Sequence, residues 1–152
     1  MSLPRTPKGV PAGGEFATMS RSDADIVLSD PSAVGGWSIK RFRILGQSPD
    51  GMAWTATICH FGRPRMTVSD SGAGDAVELT GMDESAEQDF TRTAHTLLGA
   101  DTASAGELLR LLRLSHDIDD EARTAAAPRR SVLDVRLATG TLDASDYTLL
   151  TA

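Results

Sequence analysis

From Trp37 to Gly81 the hydrophobic positions of this chain alternate with polar ones; beyond Gly81 they recur at helical spacing. Trp37 and Ile39 share one parity and Phe42 and Ile44 the other, so the strand from Trp37 to Leu45 needs a bulge near Lys40–Arg41. Ser48-Pro-Asp-Gly51 is a turn, since proline presets φ and glycine admits positive φ. The second strand, Met52 to Phe61, sends Met52, Trp54, Ala56 and Ile58 to one face and Thr55 and Thr57 to the other. Gly62 turns the chain into Arg65–Ser69, with Met66 and Val68 inward. Ser71-Gly-Ala-Gly74 then leads to Ala76–Thr80, where Val77 and Leu79 alternate. Connections this short join antiparallel neighbours, so the pattern predicts a meander of about four strands.

Helical period takes over at Ser85, which with Gln88 has capping-box spacing. Phe90, Ala94, Leu97 and Leu98 form one stripe, and Gly99 is a natural C-cap. Ser104 and Glu107 repeat the capping spacing ahead of Leu108, Leu109, Leu111, Leu112 and Leu114. Leucines this dense leave little polar face, so this helix belongs at the centre of the fold or at an interface. The polar stretch from Asp117 to Arg130 reads as a loop and linker. A third helix runs from Ser131 to a stop at Gly140, and a fourth starts near Asp143 or Ser145, carrying Tyr147 and Leu150. The expected fold class is therefore α+β: an antiparallel β-meander followed by about four α-helices.

Proline and glycine crowd the first residues, so 1–22 is expected to be a flexible arm. Ile26, Val27 and Leu28 fit a short buried strand or a helical turn equally well. The expected organisation is an arm at 1–22, an α+β domain at 23–121, a linker at 122–130 and a helical hairpin at 131–152. A length of 152 residues suits one domain with tails. Cys59 stands alone, which excludes an internal disulfide and fits a reducing compartment. No apolar run has the length of a signal peptide or a membrane span, so a cytoplasmic protein without membrane association is expected.

Chemistry is sparse. Cys59 and His60 are strand neighbours on opposite faces, so the thiol lacks an adjacent base. His60, His95 and His116 include no i, i+4 pair for a metal. Asp117, Asp119, Asp120 and Glu121 lack the glycine and the terminal glutamate of a calcium loop. Gly72 and Gly74 precede a strand instead of a helix N-terminus, which excludes a phosphate loop. The expectation is no enzyme, no cofactor and no metal.

Charge changes the picture. The net charge is −6, yet Lys40, Arg41, Arg43, Arg63 and Arg65 gather on the first three strands with Asp50 alone opposing them, while Thr67 to Glu121 is strongly acidic. A field polarised in this way steers partners. Two surfaces follow. The first is a protein interface on the leucine-rich helix and the acidic cluster: Leu108, Leu111, Leu112 and Leu114, divided between core and interface, with Asp117, Asp119 and Asp120. A homodimer is one assembly it admits. The alternative is a sheet-face nucleic-acid site on Lys40, Arg41, Arg43, Arg63 and Arg65, with Trp37, Phe42, Trp54 and Phe61 available to stack on bases.

The stretch Arg5 to Ala17, with its Gly9-x-Pro11-x-Gly-Gly-Glu-Phe16 core, resembles the N-terminal arm of many uncharacterised actinobacterial and phage-associated small proteins. The resemblance implies origin and no activity. The run Leu137-Ala-Thr-Gly140-Thr-Leu142, with Tyr147 and Leu150, resembles the short C-terminal helical hairpin (SHOCT) of bacterial proteins, which implies a non-catalytic interaction element. Together these features make the expected function that of a small non-enzymatic protein-binding module, an accessory or inhibitor of phage or mobile-element type, including the anti-defence kind.

Overall fold

Two two-residue turns set the sheet. Pro49-Asp50 reverses the chain between β1 (Trp37–Ser48) and β2 (Gly51–His60); Phe61-Gly62 reverses it between β2 and β3 (Arg63–Asp70). A longer loop leads to β4 (Glu78–Gly81). The computed structural model describes residues 30–152; the expected arm at 1–22 and the apolar stretch at Ile26–Leu28 lie outside the described residues. The strand order is β1-β2-β3-β4, every pair antiparallel, so the sheet is the meander that the alternation predicts. The β1–β2 register slips between Lys40 and Arg43, where the parity of the hydrophobic positions changes, and Arg41 takes a left-handed φ of 51° there. Gly72 must be glycine: its φ is 73°, and a Cβ would lie 2.7 Å from the backbone nitrogen of Ala53.

Four helices follow: α1 (Glu84–Leu98), α2 (Ser104–Thr124), α3 (Arg129–Ala138) and α4 (Ala144–Thr151). Asp83, not Ser85, caps α1. Its carboxylate accepts from the Ala86 amide at 2.8 Å and from the Ser85 hydroxyl, which leaves Ser85 inside the first turn. Ser104 likewise does not cap α2; it is the first helical residue, and its hydroxyl donates back to the Gly99 carbonyl.

The linker expected at 122–130 is much shorter. α2 continues through Thr124, Ala122 is buried, and α3 begins at Arg129, so only 125–128 connect them. Nor do the expected domain at 23–121 and the hairpin at 131–152 have separate cores. Val132, Leu133, Leu142 and Leu150 join the cluster that contains Ile39, Ile58, Met66, Phe90, Leu108, Leu112 and Ile118. α1 lies against β3 and β4, while α2 meets α1, β1, α3 and α4. A helix that meets four other elements needs a broad apolar face, which accounts for the leucines, while Glu107, Arg110, Asp120 and Arg123 stay exposed on the other side.

Candidate functional site

The leucine face is core. Leu108 and Leu111 are 0% exposed and Leu112 is 1% exposed, so three of the four residues expected to share an interface have no surface to offer. Leu114 is half-buried against the same core.

The acidic cluster is also a correction, since it lies on the last turns of α2 and not in a loop. Each member has an internal cationic partner. Asp117 accepts from Arg113 at 3.0 Å and Asp120 from Arg123 at 3.2 Å, both at helical spacing. Asp119 faces Arg129 at 3.6 Å, and Glu121 holds Arg136 at 2.6 Å, which ties α2 to α3. The Ser115 hydroxyl extends the seam, donating to the Ser32 carbonyl and accepting from Arg129, each at 2.8 Å.

Cys59 and His60 form no pair. Burial pushes the Cys59 thiol up, opposite to what a nucleophile needs. The His60 ring stacks on Trp37 with centroids 4.3 Å apart, and burial pushes its pKa down. Among the described residues no group of three or more His, Cys, Asp or Glu side chains could hold a metal, and no described helix is long and apolar enough to cross a membrane.

A cleft of about 670 Å³ opens beside Trp54, with Leu109, Leu114 and Leu142 among its apolar lining and Arg110, Arg113, Asp70 and Asp146 among its charged groups. Those charges are already used. Arg110 grips Asp146 through two bonds of 2.8 and 2.9 Å. Arg113 lies over the Phe42 and Trp54 rings, 4.2 and 4.9 Å from their centroids, while bonded to Asp117. Asp70 accepts from the Trp54 indole at 3.2 Å. The clasp of Arg113 on two aromatics from different strands is a tertiary feature that local sequence pattern does not show.

The basic group divides. Arg65 turns toward α1 and bonds Ser85 and Asp89 at 3.0 and 3.3 Å. Arg63, exposed and without an ion-pair partner among the described residues, stands across from His60 beside the Phe61-Gly62 turn, away from the other end of β1. Lys40 is held by Asp30. That leaves Arg41 and Arg43 on β1, both exposed and without an ion-pair partner among the described residues. The stacking platform is largely gone as well: Trp37 and Trp54 are buried, Phe42 lies under Arg113, and only Phe61 stays exposed.

Sequence reasoning missed Ile44 and Leu45, which are 60% and 65% exposed, next in sequence to Arg43. The parity of β1 assigns Ile44 to the face of Phe42, and it pairs with Trp54, yet it stays exposed; a second register slip follows between Ile44 and Gly46. The glycine at 46 was the available signal, since glycine within a strand marks bulges.

The Asp30–Lys40 pair has a measurable consequence. Burial alone would raise the Asp30 pKa, but hydrogen bonds from Lys40 and Ser32 outweigh it and bring it down to about 2. A folded-state pKa below the unfolded one means the ionised form stabilises the fold. The contribution is complete above the ordinary aspartate range, near ~4, and is lost as pH falls through about 2. Asp30→Asn should therefore be less stable than the parent in urea at pH 6, and the gap should close as pH approaches 2. A gap independent of pH would rule out the carboxylate as its source.

Comparison of the chain with protein-family models, with curated proteins and with solved structures returned no match.

Proposed function

We propose that this chain is a non-enzymatic protein-binding module working in the cytoplasm, a small accessory or inhibitor protein of phage or mobile-element type, whose contact surface is the distal half of β1. The observation that carries the reading is Ile44 and Leu45, strongly exposed on an edge strand next to Arg41 and Arg43. Exposed aliphatic side chains beside uncompensated charge are what a protein interface uses and what a solvated strand avoids. Local strain supports it. Arg41 sits at φ 51°. That conformation is costly for a bulky residue, and strain of this kind concentrates where function holds it. The surface favours protein over nucleic acid because the residues beside the arginines are aliphatic and the strand aromatics are mostly enclosed.

The test is affinity capture by the full-length protein from its native host, after nuclease treatment, set against an Ile44→Glu/Leu45→Glu variant. Both side chains are exposed, so the variant should fold. A stoichiometric protein retained by the parent and lost by the variant is the expected result. Capture that nuclease abolishes, or that the variant retains in full, would overturn the reading.

A further inference from the structure

We infer that β1 receives an acidic, extended segment of a partner protein as an added strand. The inference rests on the binding-module reading and specifies its mode. The strand order leaves β1 and β4 at the two edges of the sheet. β4 spans only Glu78–Gly81, whereas β1 runs from Trp37 to Ser48. Along one side β1 bonds to β2; among the described residues no strand pairs with its other side, where only Val34 bridges to Trp37, so backbone N–H and C=O groups there form the template on which extended peptides dock.

Charge selects the occupant. Lys40, Arg41 and Arg43 are the only charged residues on β1, and all have the same sign. A second copy paired antiparallel about Phe42 would set these cations against one another, a pairing that costs energy. An acidic segment meets complementary charge: on an added strand its carboxylates fall on the face of Arg43, and the apolar residues alternating with them fall on the opposite face, that of Ile44. The two register slips twist the strand. That twist discourages open-ended stacking of flat strands and confines a guest to a short segment. Position 41 holds an exposed arginine instead of a glycine in a left-handed conformation, at a local conformational cost.

The probe is a short fluorescein-labelled peptide of alternating glutamate and valine, titrated into the full-length protein at low salt by anisotropy. Its lysine–valine counterpart, an oligothymidine and a labelled copy of this protein serve as competing occupants. Hydrogen exchange is followed with and without the peptide. Binding of the acidic peptide alone is expected, with slowed exchange of amides in Arg41–Ser48. The double variant Arg41→Glu/Arg43→Glu should weaken binding by roughly tenfold or more, and Arg41→Lys/Arg43→Lys should largely retain it. If the bulge does not tolerate exchange at 41, Arg43→Glu alone should still weaken binding measurably. No binding by the acidic peptide, binding without protection of β1, indifference to charge reversal, or preference for oligothymidine or a second copy would each overturn the inference. If the host partner is captured through Ile44 and Leu45 while the peptide fails, the binding-module reading stands and strand addition falls.

Discussion

Leu112→Asp is expected to unfold the protein at neutral pH, not to dissolve an assembly of folded chains. Leu112 is 1% exposed and belongs to the same cluster as Leu108, Ile118 and Val132. Truncating such a side chain to alanine typically costs about 2–5 kcal/mol, through lost transfer energy and the cavity left behind. A carboxylate adds the penalty of burying a charge with no partner. Together these approach the ~5–15 kcal/mol that holds a typical domain together. The far-ultraviolet circular dichroism of the variant should lose its helical signal, and size exclusion should show an expanded chain. Leu112→Ala should fold, with a clearly lower thermal midpoint. A Leu112→Asp protein that stays folded and merely elutes later would return α2 to an interface and refute its central place.

That prediction turns on the feature the sequence left ambiguous. The meander was legible because its turns are short and its alternation clean, and even the bulge at Arg41 followed from a change of parity. The density of leucine on α2 said only that the helix lacks a polar face. Whether α1, β1, α3 and α4 or a second protein surrounds it is decided by tertiary packing, which local pattern does not encode. The end of α2 was misread for a different reason. Aspartate is a poor helix former, so Asp117 to Glu121 looked like a loop. The contrary signal was present: Arg113 precedes Asp117 by four residues and Arg123 follows Asp120 by three, spacings that only a helix makes useful.

The candidate surface was less legible still. Five basic residues close in sequence looked like one patch, yet two are claimed by acids elsewhere in the chain, Lys40 by Asp30 and Arg65 by Asp89. Such pairings depend on how the loop before β1 and the helix after β4 come back to the sheet. Of the three left without an acid among the described residues, Arg63 lies beside the Phe61-Gly62 turn, while Arg41 and Arg43 stand near Ile44 and Leu45, whose exposure is a property of the packed fold and not of the local pattern.

Trp37→Ala is expected to be the most damaging single truncation on the sheet, because one ring joins three elements. Trp37 is fully buried, lies parallel to His60 and meets Phe90 of α1 edge-on at 5.0 Å. Its indole N–H donates to the Thr93 hydroxyl at 3.1 Å, which fixes α1 to the start of β1. Its backbone also exchanges two hydrogen bonds with Val34, so the loop before the strand is anchored to the same residue. Removing such a ring typically costs about 3–5 kcal/mol. Trp37→Phe separates the contributions. It keeps much of the apolar contact and deletes the bond to Thr93, whose hydroxyl still donates to the Asp89 carbonyl. Its cost should therefore be about 1–2 kcal/mol, the loss of one hydrogen bond and a little volume. Urea unfolding of the parent and both variants, with equal slopes, would measure the two steps. An alanine variant within about 1 kcal/mol of the parent would mean that the contact between α1 and the start of β1 contributes little. The attachment of the helices to the sheet would then rest on α2 and on the row Ile39, Ile58 and Met66 that runs across the strands.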